Sequence, residues 1–250
     1  MNLCLLGHHD IASLSAMSRI IRAAPQHRHT VFLSGAVAGS KTLPRALRQL
    51  AAADAGLCEL FLRHEATPAS LAGSTDLPAP NQESGLSRLR QAEPDLIVSI
   101  RYRRILKDDA IAIPRFGVLN LHSGILPGYR GVMATFWAML NNAPEIGTTL
   151  HRITDAGIDT GPIIKVSRQP LQRTNAYLEN VLDLYDAGCA SMLAAIDAID
   201  RGEMPGSTPQ QPGSGAYYST PTATDLDRFL TGGHTLVSGN EVKRLELTGR

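Results

Sequence analysis

An α/β fold on a mostly parallel sheet is predicted by three features at the start of this 250-residue chain. Residues 2–7 form a short, nearly unbroken apolar run closing on Gly7, the signature of a buried strand. Residues 11–23 carry Ile11, Leu14, Met17, Ile20 and Ile21 at helical spacing, and residues 31–34 return as a second apolar run. Strand, helix and strand in that order are the crossover unit of a parallel sheet. A hydrophobic content of 43% is ample for the core of one large domain.

The later elements follow from the same patterns. Residues 41–53 are predicted helical. Residues 64–85, polar and rich in Pro, Ser, Ala and Gly, are expected to be a long loop or lid. A helix-like stretch at 86–92 leads to strands at 94–100 and 118–122. Met133, Phe136, Trp137 and Leu140 predict a helix over 130–142. Strands are expected at 148–154 and 163–168, joined by the turn 155–161. Residues 175–200, with Leu178, Val181, Leu182, Leu184, Tyr185 and Leu193 on one broad face, predict a packed helix. Pro, Gly and Ser then mark 206–221 as a linker or surface arm. A short amphipathic piece at Leu226, Phe229 and Leu230 and a final strand pair close the chain. The organisation expected is one domain over 1–205 and a short C-terminal extension over 206–250.

Charge and cysteine usage narrow the function classes. The formal net charge is +1 and no long block of like charge occurs, so an electrostatic footprint for nucleic acid is missing. The cluster Arg101-Tyr-Arg-Arg104 calls for a local explanation. Cys4, Cys58 and Cys189 are an odd number, far apart and without a Cys-x-x-Cys pair, which argues against a disulfide framework or a zinc ribbon. The first residues have no basic start, their apolar run is too short for a signal peptide, and no run of about 18 apolar residues follows. A soluble, cytoplasmic protein without membrane contact is expected. A homodimer is compatible with the sequence, although no residue pattern demands one.

Two segments carry the chemistry. Gly117-Val-Leu-Asn-Leu-His-Ser-Gly-Ile-Leu-Pro-Gly-Tyr-Arg-Gly131 sets Asn120 and His122 two apart in a strand, so both side chains face the same way. His122 stands at the strand's carboxyl end, where ligands of open α/β sheets collect. His151-Arg-Ile-Thr-Asp-Ala-Gly-Ile-Asp-Thr-Gly-Pro162 supplies Asp159 from a second polar turn. An amide, an imidazole and a carboxylate can together polarise a carbonyl and move a proton without a metal. Taken singly, Asn120 and His122 read as partners of neighbouring backbone, and Asp159 as a turn carboxylate. His8-His9-Asp10 does not resemble a metal site, because adjacent residues seldom converge on one ion. Ser123 lacks the Gly-x-Ser-x-Gly elbow of a nucleophile and reads as a turn residue. Arg101 reads as a solvated surface arginine, with contact to an anionic ligand as the alternative it shares with Arg103 and Arg130.

These two motifs, in this order and spacing, resemble the folate-dependent formyltransferases, a family that includes glycinamide ribonucleotide, methionyl-tRNA and sugar N-formyltransferases. The strand at 94–100 and the turn Arg104-Ile-Leu106 match what precedes the motif in that family. The resemblance covers residues 94–169 and is only architectural over 1–55. It implies a Rossmann-like formyltransferase fold with 10-formyltetrahydrofolate as the formyl donor and no metal. Asn120, His122 and Asp159 fall on the family's catalytic Asn, His and Asp. His151 falls on a family His in a supporting role, with a packed, hydrogen-bonded His as the alternative. The resemblance points to Arg104, Ile105 and Leu106, and to Thr154, Asp155, Ala156, Gly157 and Ile158, as the grip on the pterin. The loop from His151 to Asp159 is one residue longer than the family spacing. His8, His9 and Arg130 are candidates for acceptor contact, with a polar loop and local capping as their alternatives.

Departures from the known branches indicate the acceptor. Gly7-His-His-Asp-Ile-Ala lacks the second Gly of a phosphate loop. About 45 residues after the last long helix are too few for the barrel domain of the tRNA enzymes. A small amine is expected: an amino sugar, an amino acid or hydroxylamine, or a natural-product intermediate. Two rivals remain, a hydrolase releasing formate from the same donor and a non-catalytic folate- or metabolite-binding module.

Overall fold

The computed structural model describes residues 1–35, 43–64 and 67–247. Strand β1 (Asn2–His8), helix α1 (Ile11–Ala23) and strand β2 (Arg28–Ser34) form the predicted opening unit. Asp10 caps α1 by accepting from the Ser13 amide at 2.8 Å, which fixes where the helix starts. Helix α2 (Arg45–Arg63) runs ten residues past the expected end at 53, and residues 41 and 42 lie outside the described residues. Then come α3 (Ala69–Ala72), β3 (Thr75–Asp76), α4 (Glu83–Gln91), β4 (Leu96–Ile100), α5 (Asp108–Ile111) and β5 (Val118–His122). The chain continues through β6 (Arg130–Gly131), α6 (Ala134–Leu140), β7 (Glu145–Ile153), β8 (Ile163–Pro170) and α7 (Tyr177–Asp200). It ends with β9 (Tyr217–Tyr218), α8 (Ala223–Thr231) and α9 (Glu241–Leu247).

Seven strands form one sheet in the order β3-β2-β1-β4-β5-β7-β8. The pairs from β3 to β5 are parallel, and β7 and β8 add an antiparallel edge. Alternation along the strands sorts their side chains into two cores. Leu3 and Leu5 on β1, Leu96 and Val98 on β4, and Leu119 and Leu121 on β5 pack with apolar residues of α1, α2, α6 and α7. Cys4, Leu6, Ile97 and Val118 point to the other face, where α4, α5 and the segment around Leu77 and Leu106 pack against them. Asn120 and His122 share the parity of Val118 and so stand on this thinly covered face. That difference in cover leaves a cleft beyond the carboxyl end of β5.

Three expectations are corrected. The segment 64–85 is not one loop: Leu71 and Leu77 are fully buried, and β3 pairs with β2 through Phe32 and Leu33. Residues 65 and 66 lie outside the described residues. The helix expected from 130 begins at Ala134, because the amides of Arg130 and Val132 bond to the carbonyls of Ala216 and Tyr218 instead, and Met133 adopts a left-handed φ of 55°. The final strand pair is replaced by α9. Its entry is fixed by Glu241, whose carboxylate accepts from the Ser238 and Gly239 amides at 2.7 Å each, and Arg244 ties it to Glu179 at 3.2 Å and to Asp183 on α7.

The C-terminal segment shares the main core. Thr222 and Asp225 form a capping box at the start of α8, and Phe229, fully buried, stacks on Phe136 with ring centroids 4.4 Å apart. Phe229→Ala leaves a cavity in the middle of this cluster and is expected to cost about 3–5 kcal/mol, read as a lower denaturant midpoint at an unchanged slope.

Candidate active site

Strand β5 delivers Asn120 and His122 to the cleft, and antiparallel β7 sets His151 directly opposite Asn120. The Asn120 Nδ2 lies 2.9 Å from His151 Nε2, while His151 Nδ1 lies 2.9 Å from the Arg152 carbonyl. A carbonyl only accepts, so Nδ1 carries a proton, and Nε2 stands between the Asn120 amide and the Asp159 carboxylate. His122 is anchored in the same manner, its Nε2 donating to the Tyr129 carbonyl at 2.7 Å. Its Nδ1 faces Asp159 Oδ1 at 3.5 Å. Gly124 leaves the room for this ring, since a Cβ there would sit 2.6 Å from His122 Nε2.

Asp159 joins the two motifs. Its Oδ1 lies 3.5 Å from both His122 Nδ1 and His151 Nε2, and its Oδ2 accepts from the Gly131 amide at 2.8 Å. Gly131 can make this contact because it adopts a φ of 96° and passes so close to β9 that a Cβ would collide with the Tyr218 carbonyl. Burial pushes the Asp159 carboxyl up, but the two imidazoles and the Gly131 amide outweigh it and lower its pKa to about 2. Asp159 itself sits at a φ of 55°. Of five non-glycine residues with positive φ among those described, Arg101, Met133 and Asp159 line the cleft, which places held-in backbone strain at its wall.

The cleft encloses about 450 Å³, within the usual range for small-molecule sites. Of the residues singled out in the sequence, it gathers Asn120, His122, His151, Asp159, Arg104, Ile105, Leu106, Asp155, Gly157 and Ile158 in its lining. Thr154, Ala156 and Arg130 stand outside it, and so does every described residue of 64–85. Ile105, Val132, Ile158 and Tyr217 give it an exposed apolar lip. His8 and His9 also stand outside. His8 is buried against Ser34, with Nδ1 and Oγ 3.1 Å apart, and burial followed by the charge of Arg103 pushes its pKa down to about 4. His9 is exposed.

The solvated reading of Arg101 is overturned. Its side chain is 19% exposed, and Nε donates to Asp10 Oδ2 at 2.8 Å. Arg103 stands 4.0 Å from the same carboxylate and Arg104 donates to the Pro78 carbonyl, which accounts for the basic cluster. Sequence reasoning missed Gly131, a backbone donor with no side-chain signal, and the cleft residues Val132, Tyr217 and Thr220. Among the described residues no group of three or more His, Cys, Asp or Glu is placed to hold a metal, and no helix is long and apolar enough to cross a membrane. Chemically, the cleft offers an amide, an imidazole and an ionised carboxylate within one small volume, a set suited to polarising a carbonyl and relaying a proton.

The family described as formyl transferase matches residues 45–183. Among solved structures, a sugar N-formyltransferase from Shewanella sp FDAARGOS_354 is 14% identical, with a TM-score of 0.59 over 92% of this chain and 87% of the other. An N-formyltransferase from Helicobacter canadensis, in complex with folinic acid and dTDP-3-aminofucose, is 21% identical, with a TM-score of 0.57 over 90% and 72%. Glycinamide ribonucleotide transformylase 1 from Symbiobacterium toebii is 18% identical, with a TM-score of 0.57 over 84% and 95%. The shared feature at these identities is the fold.

A carboxyl whose folded-state pKa is lowered contributes stability that is fully present above the unfolded value of about 3.9 and is lost as pH falls through the folded value. For Asp159, with its pKa of about 2, the window runs from about pH 4 down to about pH 2. Asp159→Asn should therefore lose less stability than the wild type between pH 6 and pH 3, by about 1 kcal/mol, in urea unfolding at the two pH values.

Proposed function

Because this chain belongs to the formyl transferase family, we propose that it moves a formyl group from 10-formyltetrahydrofolate to the amine of a small molecule, with Asn120, His122 and Asp159 as its catalytic residues. The observation that carries this reading is the meeting of Asn120, His122, His151 and Asp159 in one cleft, with Asp159 held ionised. The cleft fits the donor in kind. Ile105, Leu106, Ile153 and Ile158 offer an apolar wall to a flat ring system, and the volume suits a ligand of that class. The folinic acid held by the Helicobacter canadensis protein is consistent with a folate-type donor here.

In this proposal the Asn120 amide and the His122 imidazole stabilise the oxygen of the formyl group as the amine nitrogen bonds to its carbon. Such a donor contributes on the order of 3 kcal/mol. Asp159 passes the proton released by the amine on, through water, to the donor nitrogen as the bond from the formyl carbon to that nitrogen breaks. A formamide and tetrahydrofolate leave. For the acceptor we propose an amino sugar first, since the Helicobacter canadensis protein is in complex with dTDP-3-aminofucose. Amino acids and hydroxylamines come next.

Tetrahydrofolate release from 10-formyltetrahydrofolate, followed by absorbance with and without a panel of amines, tests the reading. Amine-dependent release with one formamide per turnover is expected. Release of formate whatever the amine would make the protein a hydrolase instead. Asp159→Asn is expected to lower kcat by about two to four orders of magnitude, and Asn120→Ala by about two to three, with folded protein in both cases. Near-normal turnover in Asp159→Asn would remove the assignment.

A further inference from the structure

The segment 206–221 passes as a strap across both motifs, and it is fastened on each side of Gln210. Before it, Thr208 and Ile163 exchange backbone hydrogen bonds of 2.8 Å. After it, the carbonyls of Ala216 and Tyr218 accept from the amides of Arg130 and Val132 at 2.9 and 2.8 Å. The Tyr218 ring stacks between Tyr129 and Trp137 at 5.5 and 5.0 Å, and Trp137 Nε1 donates to the Ser219 carbonyl at 3.1 Å. Between these anchors Gln210 Nε2 donates to two carbonyls of the second motif, those of Asp159 at 2.9 Å and Gly161 at 2.8 Å. Its Oε1 is buried and makes no hydrogen bond among the described residues, so the two carbonyls alone set the orientation of the amide. Gln210 does not line the cleft and lies beyond the residues matched by the family.

We propose that Gln210 is a positioning residue: it holds the 159–161 turn in the conformation that presents the Asp159 carboxylate to His122, His151 and the Gly131 amide. A φ of 55° is uncommon for a residue with a side chain and persists where surrounding contacts over-determine it. The Asp159 carbonyl points to the strap while its carboxylate points to the cleft, so one amide on the outside fixes the direction of the carboxylate inside. The strap holds the other end of the contact as well, because Gly131, which donates to Asp159 Oδ2, is paired with Tyr218. The short C-terminal extension thereby bears on the reaction without touching substrate.

The consequence for activity rests on the function proposed above; the consequence for the Asp159 carboxyl does not. Gln210→Ala is expected to lower kcat by about ten- to a hundredfold, as for a catalytic group displaced by about 1 Å, with KM for the formyl donor within about twofold. The carboxyl carbon of Asp159, followed by ¹³C NMR between pH 3 and 5, should stay ionised in the wild type. In the variant its midpoint should rise toward an ordinary carboxylate, because the charged form loses its partners, the His122 and His151 rings and the Gly131 amide. Gln210→Met keeps the length of the side chain but cannot donate, and should reproduce both effects if the alanine variant does not fold. Adding Gln210→Ala to Asp159→Asn should cause little further loss of kcat. An unmoved Asp159 titration, an unchanged kcat, or a kcat loss that adds in full to that of Asp159→Asn would each overturn the proposal. Normal turnover in Asp159→Asn alone would instead overturn the function, leaving the titration to decide the role of Gln210.

Discussion

Asp159 meets His122 and His151 at 3.5 Å and takes the Gly131 amide at 2.8 Å, and each of these partners comes from a different part of the chain. His122 ends a parallel strand, His151 lies on the antiparallel edge, and Gly131 belongs to the loop that follows the first motif. A buried carboxylate without such partners would be driven neutral. With them it stays charged, and it adds one shared contact to elements already joined by the pairing of β5 with β7 and by the hydrogen bond from His122 to the Tyr129 carbonyl. The cleft is shaped around that junction, and the backbone strain at Arg101, Met133 and Asp159 is gathered along its wall.

The sheet makes the junction accessible through unequal cover. One face is filled by α1, α2, α6 and α7, whose apolar residues form the larger core. The other has α4 and α5 over only part of its width. Side chains alternate between the faces, so Leu119 and Leu121 must be buried when Asn120 and His122 are turned toward the open side. A shift of one residue along β5 would exchange the two sets, placing an amide and an imidazole in the main core. The apolar residues of this strand therefore fix its polar ones.

Behind the cleft lies a second buried ionic contact. Asp10 caps α1, accepts from Arg101, and is held ionised by it against the upward push of burial. Arg101 also reaches Ser123 at 3.4 Å, the residue following His122. The ends of β1, β4 and β5 are thus braced through one guanidinium. Breaking such a pair on one side leaves an uncompensated charge, which makes this bracing demanding as well as strong. It explains a cluster of arginines that, in the sequence, looks like surface.

Much of the molecule was legible in the order of its residues. The βαβ opening, the strand at 118–122, the parallel sheet and the long helix at 175–200 follow from local periodicity, because each of those elements buries a face defined within its own length. Asn120, His122 and Asp159 stood out through fixed spacing inside two motifs, and the loops expected around a ligand largely reached the cleft. What escaped the sequence depends on contacts between distant residues. Arg130 and Gly131 carry no sign that they pair with Tyr217 and Tyr218. The replacement of a strand pair by α9 rests on Arg244 meeting Glu179 and Asp183. Gln210, in a Pro- and Gly-rich stretch without periodicity, shows nothing of its two carbonyl partners. Local pattern determined which elements form and which side chains face together; long-range hydrogen bonding, with no counterpart in periodicity, decided how the two motifs are held against each other.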